Sequence, residues 1–306
     1  MTRKRGRSTN VTPGLFLALV AAANPVGVAA QAVCSAPHSS PTLTQSGAIG
    51  TLPRGAGWVQ VSLYGQRATE FYNHLGERQS LLSDSRFDTR SVFLTGAVGV
   101  LDGLELWAQI PAHRLGVEAT SGESTSSGVG DVRVAARVAP ELFGLSDVPV
   151  ALRAGIKAPG SDFPVDATIL PLTEGQTDID VSLESGTVFG GLPLYVVGWI
   201  GYRWRGENRE AARQPGDERY AHVAVGGSAG DFGFELAADG LWGTAPLAQG
   251  IRLTNERRRL IQLVPTVGLE AGPGRLEVTA QVPLTGRNLP AGVGLSAGYR
   301  TTWGIL

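Results

Sequence analysis

Residues 126–140 read SSGVGDVRVAARVAP. Val132, Val134, Ala136, Val138 and Pro140 hold alternate positions, with Arg133 and Arg137 between them. Alternation with period two marks a strand with two unlike faces. Two arginines on one face need water or opposite charge, while the apolar set faces something oily. Which medium lies on which side decides the fold.

The same alternation recurs beyond residue 57 in segments of roughly ten residues, each bounded by Gly, Pro, Asp or Asn. They are Trp58–Gln66, Ser91–Val100, Leu104–His113, Asp131–Val138, Pro149–Lys157, Thr177–Thr187, Leu194–Arg205, Arg219–Gly226, Phe232–Leu241, Leu260–Glu270, Arg275–Leu284 and Val293–Trp303. Their connections alternate in length. Arg67–Arg90, Arg114–Gly130, Ala158–Gln176, Gly206–Glu218 and Trp242–Arg259 are long. Leu101–Gly103, Ala139–Val148, Val188–Pro193, Gly227–Asp231 and Ala271–Gly274 are shorter. A soluble sandwich has no reason to gather its long loops at one end. An outer-membrane barrel does, with short periplasmic turns, longer outer loops and an even number of strands.

The faces agree with that architecture. Ile179, Val181 and Leu183 alternate with Asp178, Asp180 and Glu184; Leu104, Leu106, Ala108 and Ile110 alternate with Glu105 and Gln109. An Arg or Lys facing lipid at mid-membrane costs about 2–4 kcal/mol, so the charges line the interior and the apolar set faces lipid. The expected fold is all-β: an antiparallel transmembrane β-barrel of about 12 strands in the bacterial outer membrane. Tyr64, Tyr202, Trp204, Tyr220, Phe232, Trp242, Tyr299 and Trp303 fall near segment ends, as interfacial girdles require.

Composition narrows the function. Charged residues are 17% of the 306, and no apolar run in the body of the chain reaches the length of a membrane helix. Four basic groups and no acid lie in residues 1–30, so the remainder is net acidic, which disfavours a nucleic-acid partner. Residues 1–30 read as a secretory signal peptide: basic Arg3 to Arg7, apolar Gly14 to Ala23, and a cleavage site after Val28-Ala29-Ala30. Asn24-Pro25 ends the apolar run too early for it to span a bilayer. Residues 31–56, rich in Ser, Thr, Gly and Pro, read as a flexible periplasmic leader in preference to a lumen plug, and 57–306 as the barrel. Cys34 is the only cysteine, which excludes an internal disulfide and a multi-cysteine metal site.

Several pieces of the chain then resemble a known family. Gly128-Val-Gly-Asp-Val-Arg133 is similar to the G-x-G-D-x-R signature that opens a strand in the outer-membrane family named after the meta-pathway of phenol degradation, often described as transporters. Leu104-Glu-Leu-Trp-Ala-Gln-Ile-Pro111, Leu152-Arg-Ala-Gly-Ile-Lys-Ala-Pro-Gly160, Gly175-Gln-Thr-Asp-Ile-Asp180 and Pro283-Leu-Thr-Gly-Arg287 follow in the family's order, over residues 90 to 303. The resemblance implies a barrel that passes small molecules, often aromatic. Such a barrel has the outer-membrane lipid, lipopolysaccharide, the barrel assembly machinery and a small-molecule solute as its partners.

The candidate lumen residues are Arg133, Arg137, Arg153, Lys157, Asp178, Asp180, Glu184, Arg203, Arg205, Glu235 and Asp239. They form either a charged constriction that selects a solute or cross-strand pairs that fill a small lumen. Phe163–Leu172 is apolar for an outer loop, and is either a lid or a loop packed on its neighbours or on lipopolysaccharide. Catalytic, metal and cofactor roles are not expected. His38, His74, His113 and His222 lack a metal-ligand spacing, and none stands in a recognisable hydrolase motif. The reading is therefore passage of a small molecule through a polar, charge-lined lumen. The alternatives are a non-transporting surface barrel closed by internal salt bridges, and a barrel lipid hydrolase.

Overall fold

The computed structural model describes residues 50–81, 85–119, 122–145, 148–164, 166 and 169–304. The expected signal peptide and the expected leader up to residue 49 lie outside the described residues. Twelve strands form the wall: β1 (Gly57–Ala68), β2 (Arg86–Leu101), β3 (Leu104–Ala119), β4 (Val132–Val138), β5 (Val150–Ala158), β6 (Asp178–Val188), β7 (Leu194–Arg205), β8 (Glu218–Ala229), β9 (Phe232–Gly243), β10 (Arg259–Ala271), β11 (Gly274–Arg287) and β12 (Gly294–Trp303). Each pairs antiparallel with its neighbours in sequence, and β12 pairs with β1 from Gly57↔Trp303 to Gln66↔Gly294, which closes the sheet. Closure satisfies the wall's backbone groups without water, as lipid demands.

Burial runs inside out. Lys157 is 1% exposed and Arg137 4%, whereas Leu63 is 60% exposed and Val134 50%. On β2 the outward apolar row runs from Val92 to Val100. At about 3.3 Å per residue and a tilt near 40°, that row spans about 20 Å of barrel height, close to the apolar band of outer-membrane barrels. Among the described residues no helix is long and apolar enough to cross a membrane; the strands do so.

The short connections keep to one end and the long ones to the other. Asp102–Gly103 joins β2 to β3, with Gly103 in the left-handed region (φ 83°), where an added Cβ would meet the Leu142 amide nitrogen at 2.1 Å. At the long-loop end, Glu70–Tyr72 pairs with Arg78–Ser80 and Leu289–Pro290, and Leu247–Ala248 with Arg213–Gln214 and Ile251–Arg252.

Three sequence expectations change in the structure. Arg114–Gly130 is not a long loop: β3 continues to Ala119 and pairs with Gly122–Val129, a two-stranded extension above the barrel. Its Ser- and Thr-rich strand follows the pleat with Val129 as its one large apolar residue, so an apolar alternation test passes over it. Tyr64 and Tyr220 are not girdle residues. They share the inward parity of Ser62 and His222, because a strand end fixes height and not face. Residues 50–56, at the end of the expected leader, are ordered against the wall: Leu52 is fully buried and packs with Ala56, Trp58, Ala97 and Trp107.

Candidate functional site

The opening stretch contains a β-bulge. Val129 pairs with Ala112 and Arg133 with Gln109, so four steps on one strand oppose three on the other. The bulge, at Gly130–Asp131, keeps Ser124, Ser126 and Gly128 inward above and sets Asp131, Arg133 and Arg137 inward below. Gly130 is required by close approach, since a Cβ there would lie 2.3 Å from the His113 ring.

Asp131 opens a buried ion network at the long-loop mouth. Lys157 Nζ lies 2.8 Å from Asp131 Oδ2, 2.5 Å from Glu174 Oε2 and 2.9 Å from Asp178 Oδ2. The Arg205 guanidinium reaches Glu174 at 2.5 Å, Asp178 at 2.8 Å and Glu218 at 2.8 Å. Arg203 reaches Glu218 at 2.9 Å, and Arg258 lies 3.4 Å from Glu218 and 3.7 Å from Glu174. Glu174 is the hub, and it belongs to the connection between β5 and β6 and not to the wall. Around it Leu170, Thr173 and Gln176 are buried, the Thr173 hydroxyl donates to Asp131, and the Asn208 amide donates to the Glu174 carbonyl at 2.9 Å. Leu170 and Leu172 pack on Leu115 and Val117 of β3. Residues 169–176 thus fold back into the mouth. Burial alone would raise the Glu174 carboxyl, but Arg205 and Lys157 hold it well below the ordinary carboxylate range.

A second network lies at the short-turn mouth. Arg137 sits 2.8 Å from Glu184 and 3.8 Å from Glu105, and Arg153 lies 3.4 Å from Glu184 and over the Trp107 ring at 6.0 Å. The Leu52 amide donates to Glu105 at 3.1 Å, so here too a segment outside the wall is held on the network. Elsewhere on the inner wall, His222 Nδ1 is 2.5 Å from Asp239 Oδ1 and its ring stacks on Trp199 at 3.6 Å. The Tyr195 hydroxyl donates to Glu235 at 2.7 Å, and Arg275 and Arg300 flank Glu277. Tyr64, Phe93 and His113 meet edge to face, and Arg203 covers Tyr220 at 5.5 Å.

Every lumen residue anticipated from the sequence lies on an inward row of its strand. Lys157, Asp178, Arg203 and Arg205 meet at one mouth, and Arg137, Arg153 and Glu184 at the other. Asp180 accepts from Tyr220 at 3.3 Å, and Arg133 lies beside Gln109 and Lys157 in register. Glu235 and Asp239 belong to separate groups. Sequence reasoning missed Glu174 and Arg258, which sit in connections without periodicity, and Glu218, one residue before the segment assigned to β8. Extending the inward parity of His222 by four residues would have found Glu218. It also missed a contact between Ser91 Oγ and His113 Nδ1, at 2.7 Å. A nucleophile–base pair needs a third group to orient the base. Asp131, next to the Gly130 that abuts this ring, is committed to Lys157 and Thr173.

No protein-family model matches the chain, and no curated protein matches it. Solved structures do. An outer membrane channel from Pseudomonas putida F1 superposes with a TM-score of 0.68 at 19% identity, over 83% of this chain and 97% of that one. Weaker likenesses are the beta domain of the Bordetella autotransporter BrkA (TM-score 0.47, 12% identity, 81% and 100% covered) and the translocator domain of the autotransporter NalP from Neisseria meningitidis (0.46, 9%, 82% and 89%). The first of these likenesses, the closed sheet and the apolar belt give the chain the fold and the location of a bacterial outer-membrane β-barrel.

Proposed function

We propose that the barrel passes a small, uncharged, ring-bearing molecule across the outer membrane, and that residues 169–176 and 50–56 occlude the two mouths of the lumen at rest. One observation carries this reading. The obstructions at both mouths are held by ion and hydrogen-bond contacts and are not part of the wall. Residues 169–176 hang on Lys157 and Arg205 through Glu174, and Leu52 hangs on Glu105. Residues 169–176 can withdraw without breaking one inter-strand hydrogen bond, and residues 50–56 give up only the two backbone bonds that Gly55 and Ala56 make with Gly99 of β2. A purely structural barrel has no use for removable stoppers, because strand-to-strand bridges alone would fill it. From the short-turn mouth inward, Trp107, Trp199, Tyr195, Tyr220, Tyr64 and Phe93 face the lumen, a lining suited to a flat apolar ring with polar edges. The P. putida structure, itself described as a channel, supports the same reading.

Liposome swelling with the full-length protein and small uncharged aromatic and aliphatic solutes tests it. The reading expects slow swelling for the wild type, faster for Glu174→Gln, and faster for ring solutes than for sugars of equal size. Refolded protein of either kind that passes none of them would refute transport.

A further inference from the structure

Charge is not confined to the lumen. Outward on β2, just above Val92, stands Arg90; outward on β3, just above Ala112, stands Arg114, and the two are directly opposed in the ladder. Like charges directly opposite each other destabilise a sheet. Neither has an acidic partner among the described residues. Of the acids above them, Asp88 is engaged with Arg67 and Arg86 at 2.8 and 2.9 Å and Glu118 with Arg86 at 2.5 Å, while Glu123, opposite Glu118, accepts from the Thr125 hydroxyl at 3.3 Å. Below the pair a shallow apolar groove runs down the outer wall between Leu63, Val92, Ala112, Leu295 and Ala297. Small side chains hollow it out, and at Gly65 an added Cβ would meet nothing within 4 Å.

A cation pair on the upper rim of the apolar belt, with an apolar groove beneath it, matches one kind of molecule: an acylated lipid with a phosphorylated head. Rim and groove both lie at the long-loop end, the outer leaflet in such barrels. We infer that Arg90 and Arg114 bind a phosphate of lipopolysaccharide, with one of its acyl chains in the groove below. The inference rests on the membrane placement of the barrel and not on transport.

Native mass spectrometry of the full-length protein in detergent tests it, with bisphosphorylated lipid A and its dephosphorylated form as probes. The wild type should retain the bisphosphorylated form preferentially. Arg90→Gln/Arg114→Gln should weaken that retention about 25-fold, at about fivefold per arginine on a membrane surface. Ala297→Leu, which fills the groove and leaves the arginines, should weaken both lipids alike. Arg219→Gln, an exposed outward arginine on β8, should change nothing. Heat-modifiable migration confirms that each variant is folded. Equal retention of the two lipids by the wild type, or full retention by the folded double variant, overturns the inference.

Discussion

Glu174→Gln isolates the latch at the long-loop mouth. Four cations (Lys157, Arg203, Arg205 and Arg258) and four carboxylates (Asp131, Glu174, Asp178 and Glu218) balance there, all of them largely buried. The substitution keeps shape and removes one negative charge, leaving the cations in excess. Breaking a buried ion pair on one side costs about 3–5 kcal/mol. Had Glu174 been part of the wall, the barrel would bear that cost. As a loop residue it allows a cheaper response: residues 169–176 withdraw and water reaches the cations. A cost near 3 kcal/mol shifts the seated-to-withdrawn ratio by roughly a hundredfold. A mouth shut about 99% of the time would then stand open about half of it. Planar-bilayer recording reads this as open probability. Asp178→Asn is the control: Asp178 lies on β6, and its loss leaves Lys157 and Arg205 more dependent on Glu174, so the loop stays seated. That variant should lower the temperature of the heat-modifiable gel shift without opening the channel. A folded Glu174→Gln protein as closed as the wild type, or an Asp178→Asn protein that opens as readily, would refute the latch.

Three further outcomes follow from particular residues. The Glu174 carboxyl is held below its ordinary 4.5, so the seating it provides is complete above that value and is lost only as pH falls through the depressed one; open probability should stay flat from pH 8 to about 5, and a midpoint near pH 6 would name another group as the latch. Leu52→Asp puts a carboxylate in an apolar site beside Glu105, so residues 50–56 should detach, read as faster tryptic cleavage after the exposed Arg54; an unchanged time course would show that Leu52 does not hold the segment. Val134→Arg, on the lipid face, should cost about 2–4 kcal/mol in urea-driven unfolding from vesicles, whereas Thr125→Arg above the belt should cost nothing measurable.

The wall was legible in the sequence because a barrel strand repeats one rule many times. Val134 and Arg133 need only be adjacent for one to face lipid and the other the lumen, and loop lengths then orient the whole. What stayed hidden follows no period. Glu174 and Arg258 come from connections, and only the folded chain brings them to Lys157, Arg205 and Glu218. Asp131 was visible as a loop end and not as a ligand of Lys157, since the bulge that aims it adds one residue without changing the composition. Residues 50–56 look like linker because Gly, Thr, Pro and Arg dominate them. Leu52 is their one large apolar side chain, the other anchors are hydrogen bonds that tie the backbone of Arg54, Gly55 and Ala56 to Asp102 and Gly99, and neither a single leucine nor a backbone bond carries a pattern.

The charge pattern also bears on what can pass. Among the described residues, nine cations (Arg133, Arg137, Arg153, Lys157, Arg203, Arg205, Arg258, Arg275 and Arg300) and ten carboxylates (Glu105, Asp131, Glu174, Asp178, Asp180, Glu184, Glu218, Glu235, Asp239 and Glu277) are grouped in the lumen. Burying so many charges gains little stability over well-packed apolar side chains. Charge of one sign would attract counter-ions and speed their passage. A near-balanced set of pairs does neither. It keeps the lumen polar, and it favours no ion. What remains favourable there is a neutral solute whose ring lies on Trp107, Trp199 or Tyr195 and whose polar edge replaces a water on the ion pairs. The Glu174→Gln channel, held open, makes this measurable, because its lumen carries one positive charge more than the wild type and is then balanced. Under a KCl gradient its reversal potential should lie within a few millivolts of zero. A strong cation or anion preference would show that one of the two networks acts alone as a filter, and the neutral-solute reading would fall.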